Sequence, residues 1–445
     1  MRRPIAALLG SACWLLALSA HPIAEVNAAE ANALRVGAAK VEITPTNLTN
    51  LNPMGGGTFA GVHDPIFARV LIVDNGRNTA ALVSLDLIET GDTLRVRERI
   101  QKELGIPVNH VIIAASHSHS TPRLGKVTPG ALAHDGGPEV AAYTDTVNDK
   151  IVVALEQART SLQPARMGIA TGRADVSVNR DAFTAQGWKI GFNPDGPSDK
   201  TVWVIRFEKP SGEPIAVLFN YAVHSTVTLG NQMVSGDLAG AAERHVEQHY
   251  GDKVVALWTL GPAGDQSPKF SGMSLAGPRP AGNTPVENKD RRSSAFDAMD
   301  AQGFMVGAEV VRLANSIQPT VASAQIEADE RVISCPMKQG VNQMADMKQA
   351  QVSSVPIRLG LIMIDRIALA TVSGEVVTNI YSHLRKASPL ANTILVTLAN
   401  DRIGYLADDA AYDTPIFEVN GTPAARGCAE NGIVNGLVDM INQHL

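Results

Sequence analysis

The sequence predicts an α/β fold with mixed sheets flanked by helices. Short β-branched runs alternate along the chain with stretches whose apolar residues recur every three or four positions. Gly (38) and Pro (25) are plentiful but follow no period, which excludes collagen-like, solenoid and coiled-coil architectures. No low-complexity linker divides the 445 residues, 45% of them hydrophobic and 18% charged, so residues 33–445 read as one domain.

The elements follow in order. Leu34 to Thr44 reads as a strand pair, and a Gly-rich loop at Met54–Gly57 leads to His63-Asp64-Pro65. Phe67 to Val73 and Thr79 to Leu87 form a hairpin around the turn signal Asp74-Asn75-Gly76. Asp92 caps a helix with Val96, Ile100 and Leu104 on one face, ending at Gly105, and Val111 to Ala115 is a buried strand. A helix from Ala141 to Gln163 precedes strands at Val202–Phe207 and Ile215–Tyr221. A helix at Leu238–His249 and a strand at Val254–Leu260 continue the alternation, which a polar loop from Pro268 to Arg292 interrupts. Then come a helix from about Ala295 to Ile317, strands at Arg358–Ile364, Ile367–Val372 and Ile394–Leu398, and a short helix from Ile433 to Leu445.

The first residues stand apart from this pattern. Arg2 and Arg3 precede an apolar run from Ile5 to Ala20, and Val26-Asn27-Ala28 suits a signal peptidase, so residues 1–28 are expected to be a signal peptide and the mature chain exported, periplasmic or secreted. The run is shorter than the roughly 20 residues of a spanning helix, which leaves an uncleaved anchor as the lesser alternative. The most apolar later stretch, Ile357 to Val372, is broken by Asp365 and Arg366, so no transmembrane span is expected after cleavage. Cys13 leaves with the signal, and Cys335 and Cys428 remain, either bridged in an oxidising compartment or as two buried thiols. With 38 Lys and Arg against 44 Asp and Glu the net charge is −6, which leaves no basic excess for nucleic acid.

Polar clusters follow directly after predicted strands. Val111–Ala115 runs into Ser116-His117-Ser118-His119, Ile215–Tyr221 into His224, Ile367–Val372 into Ser373-Gly374-Glu375, and Ile394–Leu398 into Asn400 through Tyr405. Ligands of open α/β sheets bind outside the carboxyl ends of the strands, so His117, His224, Glu375 and Tyr405 are candidates for one site there. Two imidazoles and a carboxylate suit Zn²⁺ with a position open to water, and a phenol oxygen is an unusual fourth protein ligand. The competing reading makes His117 and His119 hydrogen-bonded loop residues and His224 a satisfied core histidine. Gly261 to Pro268 also follows a strand and carries Ser267, though a plain Gly/Pro turn explains it equally. Arg180 in Ser177-Val178-Asn179-Arg180 is unremarkable alone.

In order, these clusters resemble the catalytic domain of the neutral/alkaline (non-lysosomal) ceramidases, zinc amidases that split N-acylsphingosine into sphingosine and a fatty acid. The resemblance rests on Val36 to Pro45, Gly61 to Arg69, and Ala115-Ser116-His117-Ser118-His119-Ser120, which is similar to the family's Ala-Thr-His-Thr-His-Ser. It continues through Ser177 to Arg180, Ala222-Val223-His224, Ser235-Gly236-Asp237, Ala263 to Pro268, Gly374-Glu375 and Gly404-Tyr405. It implies that His117, His224, Glu375 and Tyr405 are zinc ligands, that His119 handles protons, that Arg180 stands near the scissile carbonyl, and that Ser267 is the active-site serine, placed to orient substrate or to attack it. It also implies an N-acyl amide or sphingolipid substrate, with transient contact to a membrane surface.

The sequence departs from the family at three points. No counterpart of the C-terminal β-sandwich domain of long members is expected after Ile433 to Leu445. The family's Gly-Pro-Gly-Gly is here Thr121-Pro122-Arg123-Leu124, which brings bulk and charge beside the site. Phe417 stands where the family places a second active-site tyrosine, although Tyr412 is close by. Three functions therefore compete: a ceramidase-like zinc amidase, a zinc amidase for a smaller or more polar N-acyl substrate, and a catalytically silent lipid or carbohydrate binder.

Overall fold

The computed structural model describes residues 32–54, 57–125, 137–271, 289–339 and 353–445. The expected signal peptide, Gly55-Gly56 and most of the polar loop before Arg292 lie outside them. The chain opens with β1 (Arg35–Glu42), β2 (Phe67–Asp74), β3 (Thr79–Leu85), helix α1 (Leu94–Leu104) and β4 (Val111–Ala115), followed by helix α2 (Gly137–Thr160). It continues through β5 (Arg166–Arg173), the hairpin β6 (Ser177–Thr184) and β7 (Gly187–Asn193), β8 (Thr201–Glu208) and β9 (Pro214–Tyr221). Helix α3 (Asp237–His249), β10 (Val255–Leu260) and helix α4 (Lys289–Ser316) come next. The last part comprises β11 (Ile326–Pro336), β12 (Ser354–Ile364), β13 (Ile367–Val372), helix α5 (Thr378–Ala387), β14 (Asn392–Thr397), the short α6 (Phe417–Gly421) and α7 (Ala429–Gln443).

Three mixed sheets are built on the orders β1-β2-β3-β4, β5-β8-β9-β10 and β11-β12-β13-β14, the first extended beyond β1 by the two-residue strand Gln163–Pro164. Each makes two antiparallel steps and then a parallel one. The parallel step needs a crossover, and a helix supplies it each time: α1, α3 and α5. Inner faces of the three sheets meet in a shared core that includes Leu71, Leu82, Trp203, Leu218, Ile362 and Ile394. The outer faces are covered by α2, by α3 with α4, and by α5 with α7.

Several expectations are corrected. Leu34 to Thr44 is a single strand rather than a pair, because residues 35–42 register against β2 without a turn. Asp92 accepts the Leu94 amide, but the residue at the α1 boundary is Thr93, with no side-chain cap. Gly105 ends α1 in the left-handed region (φ 73°), as its position predicts. Helix α2 starts four residues earlier than expected and stops at Thr160, since Gln163-Pro164 pairs with β1. Cys335 at the end of β11 is bridged to Cys428 at the start of α7. No described helix is long and apolar enough to cross a membrane.

Candidate metal centre

The carboxyl ends of the third and fourth strands of each sheet deliver six loops to one place, and the sheets' own strand ends are bonded together there. The Asn400 side chain accepts from the Ile113 amide and donates to the Val111 carbonyl, which ties the loop after β14 to β4. Thr397 donates to the Gly261 carbonyl after β10.

His117 leaves β4 with a φ of 63°, an uncommon conformation for a non-glycine residue. It is held by amide bonds from Ser116 to the Leu85 carbonyl and from His117 to the Leu87 carbonyl. Its Nδ1 donates to the Ile88 carbonyl at 2.6 Å. His224, after β9, donates from Nδ1 to the Ala263 carbonyl at 2.8 Å. A carbonyl oxygen can only accept, so both Nδ1 atoms carry hydrogen and both Nε2 atoms of the neutral rings present lone pairs. Those lone pairs face one carboxylate oxygen: Glu375 Oε2 lies 3.1 Å from His117 Nε2 and 3.2 Å from His224 Nε2.

Electron pairs in that arrangement repel unless positive charge lies among them. Burial, then the neighbouring Arg180, lowers His224 to about 4, so a proton is a poor occupant at neutral pH. The donor set therefore fits a divalent cation of the N/O-binding class.

The structure brings His119 into the same cluster. The ligand atoms of His117, His119 and His224 lie within 4.8 Å of one another, and these three residues form a group able to hold a metal ion. His119 Nε2 is 3.2 Å from His117 Nε2, while its Nδ1 is buried without a hydrogen-bond partner among the described residues. Burial first, then the two other imidazoles, pushes its pKa well below the ordinary value.

Tyr405 reaches the centre through a two-residue parallel bridge that pairs it with Glu375. Burial and the Glu375 charge raise the pKa of its phenol, with Arg180 opposing. Arg180 lies 3.3 Å from His224 through Nη1 and is fixed by Glu418, whose Oε1 is 2.7 Å from both Nε and Nη2. Its guanidinium stands 5.4 Å from the ring centres of both Tyr405 and Phe417. Ser267, partly exposed in a short strand beside β6, follows Gln266, whose carbonyl accepts from the His224 amide. Its hydroxyl forms no hydrogen bond to the histidines among the described residues.

Sequence reasoning missed Glu418, the carbonyls of Ile88 and Ala263, and the whole loop after β3. That loop follows a strand as the others do, so the same strand-end rule would have found it. Glu418 carries no such signal and shows its part through its contact with Arg180.

Residues 35–356 match the family described as neutral/alkaline non-lysosomal ceramidase, N-terminal. Neutral ceramidase A of Dictyostelium discoideum is 28% identical over 261 residues, 51% of this chain and 34% of the relative. Neutral ceramidase B of the same organism is 32% identical over 209 residues, 43% of this chain and 28% of the relative. The chain thus spans about a third of the length of the curated relatives it matches. The crystal structure of neutral ceramidase from Pseudomonas aeruginosa superposes with a TM-score of 0.71 over 92% of this chain and 74% of that one. At 19% identity this likeness concerns the fold alone. A ceramidase complexed with C2 gives the same score over 93% of this chain and 75% of that one.

Proposed function

This chain belongs to the neutral/alkaline non-lysosomal ceramidase family, and from that premise we propose that it is an exported, zinc-dependent hydrolase of linear N-acyl amides. Its proposed substrate is ceramide-like, N-acylsphingosine giving sphingosine and a fatty acid. The observation that carries this reading is the facing of the His117, His224 and Glu375 lone pairs, each imidazole locked by a backbone carbonyl. These three, with Tyr405, would hold the metal. When bound, zinc supplies an activated water and polarises the amide carbonyl.

The remaining residues divide the work. His119 Nδ1 has no backbone partner to fix its tautomer, which suits a group that carries a proton to the leaving nitrogen. Arg180, held in place by Glu418, presents fixed positive charge where an oxyanion develops. Ser267 orients substrate from the rim. Phe183, Ile190 and Phe192 on the β6–β7 hairpin are exposed, as is Phe417 beside Tyr405, and this apolar surface favours an amphiphilic substrate with transient contact to a membrane surface. The Cys335–Cys428 bridge supports an oxidising, periplasmic or extracellular location.

Purified protein should contain one zinc per chain and cleave N-acylsphingosine in a chelator-sensitive way. Turnover that survives complete metal removal would sink the proposal. A second reading, a smaller or more polar N-acyl substrate, is favoured by Arg123, whose partly exposed side chain stands four residues beyond His119. Cleavage of such amides without cleavage of ceramide would select it.

A further inference from the structure

The loop after β3 places a carboxylate between two arginines beside the metal centre. Glu89 is buried and directly follows Ile88, the acceptor for His117 Nδ1. Arg402 Nε lies 2.7 Å from Glu89 Oε2, and Arg123 Nε lies 4.0 Å from Oε1, beyond hydrogen-bond range. Both arginine side chains keep 22% of their surface exposed. Neither Nε, nor Glu89 Oε1, has a hydrogen-bond partner among the described residues. Arg180 is more enclosed, with its Nε bonded to Glu418 and only 6% of its side chain exposed.

One carboxylate between two partly exposed guanidiniums leaves a net positive charge. Burial works to lower the pKa of Arg402, but Glu89, Glu375 and Tyr405 outweigh it, which places this arginine within electrostatic reach of the proposed ligands. A partly exposed guanidinium is matched by a planar or tetrahedral oxyanion, which it can bind through two parallel bonds.

We infer that Arg123 and Arg402 form an oxyanion subsite, and that the preferred N-acyl amide carries an anionic group, a carboxylate or a phosphate, on its amine portion. The inference rests on the amidase reading and, for the substrate, on its second form, the more polar N-acyl amide that Arg123 favours. Hydrolysis itself is unchanged: water's oxygen bonds to the acyl carbon, the C–N bond breaks, and the proton goes to the leaving nitrogen. The arginines bind and align the anion and take no part in that exchange.

The zinc-loaded protein is assayed on N-lauroylglycine, on N-lauroyl-phosphoethanolamine and on the neutral N-lauroylethanolamine. The expected result is a preference in kcat/KM of about tenfold or more for an anionic amide, with the better of the two naming the anion. Arg123→Gln and Arg402→Gln should each reduce that preference about tenfold, mainly through KM. Arg402→Gln strands the buried Glu89 and can unfold the protein; Arg123→Gln leaves the Arg402–Glu89 pair intact and keeps the test valid. Equal turnover of charged and neutral amides, unaltered by Arg123→Gln, overturns the subsite while the amidase stands. Calorimetric titration with the uncleaved amides separates the two ideas if no substrate turns over. Anion-selective binding lost in Arg123→Gln then upholds the subsite against the amidase, and binding without selectivity overturns both.

Discussion

At the scale of single residues, the centre is defined by which imidazole nitrogen is free. His117 and His224 are locked by carbonyls and His119 is not, so His224→Ala should abolish metal binding. His119→Ala should retain the metal and lose about 10² to 10⁴-fold in kcat. Loss of zinc in the His119 variant would place that imidazole among the ligands. The same burial sets a pH dependence in metal-free protein. His224 falls to about 4 when folded, against about 6.5 unfolded, so its contribution is present above pH 6.5 and is lost as pH falls through 4. That amounts to about 3 kcal/mol, and His119 acts in the same direction. Asp265, raised by burial to about 6, acts oppositely, losing stability as pH rises through that value. The measurement is therefore a difference in denaturant midpoints between parent and His224→Asn across pH 4–7; parallel profiles would refute the assignment. Phe417 gives a further test. It is 48% exposed with its ring 5.5 Å from that of Tyr405, so a hydroxyl added there remains solvated in the free protein. Tyr412 does not replace it, because its hydroxyl is bonded to the Ala424 carbonyl. Phe417→Tyr should raise kcat on N-acylsphingosine about tenfold or more with KM little changed. An unchanged kcat would show that no donor is missing at that point.

At the scale of elements, what could be read in the sequence depended on burial. Strands β4, β9, β10, β13 and β14 are buried almost throughout and appear as continuous apolar runs, which made their polar sequels conspicuous. β11 was missed because Glu327, Asp329 and Arg331 give it a polar, half-exposed face and Glu330 puts a charge on the other. β7 was missed because Ile190 and Phe192 point outward, so no inward pattern was there to find. The close approach of elements at the centre was equally hidden. Gly264, after β10, donates its amide to the Val376 carbonyl, and a Cβ there would lie 2.8 Å from the Glu375 carbonyl oxygen and 2.9 Å from the Val376 carbonyl carbon. Backbone cannot yield as a flexible side chain does. Gly264→Ala should displace the Glu375–Tyr405 bridge, with about 1–3 kcal/mol of destabilisation. Competition against a chelator should show metal affinity at least about tenfold weaker. Unaltered affinity in the folded variant would mean that the bridge does not set the ligand geometry.

At the scale of the molecule, three copies of one topology share a core and a site, although the sequence shows no repeat. The hairpin β6–β7 interrupts the second unit and no equivalent hairpin appears among the described residues of the first, so equivalent strands are unequally spaced and self-similarity is lost. The candidate ligands are divided among the units: His117 from the first, His224 from the second, Glu375 and Tyr405 from the third. A bound ion therefore ties together loops of all three sheets, whereas the Cys335–Cys428 bridge closes a loop within the third unit alone. The two cross-links should thus fail differently. Metal binding at a thousandfold excess over its dissociation constant adds about 4 kcal/mol to the native state. Its removal should raise amide hydrogen exchange at the ends of β4, β9 and β13 together. A bridge spanning 93 residues contributes a similar amount on the chain-entropy account, about 4–5 kcal/mol, by restricting the unfolded chain. Reduction should first increase exchange in β11 and α7, where the bridge is anchored, and leave the loops after β4 and β9 protected. Chelation that loosens only one sheet would show that the ion does not join the three units, and the proposed ligand set would then have to be redrawn within that sheet.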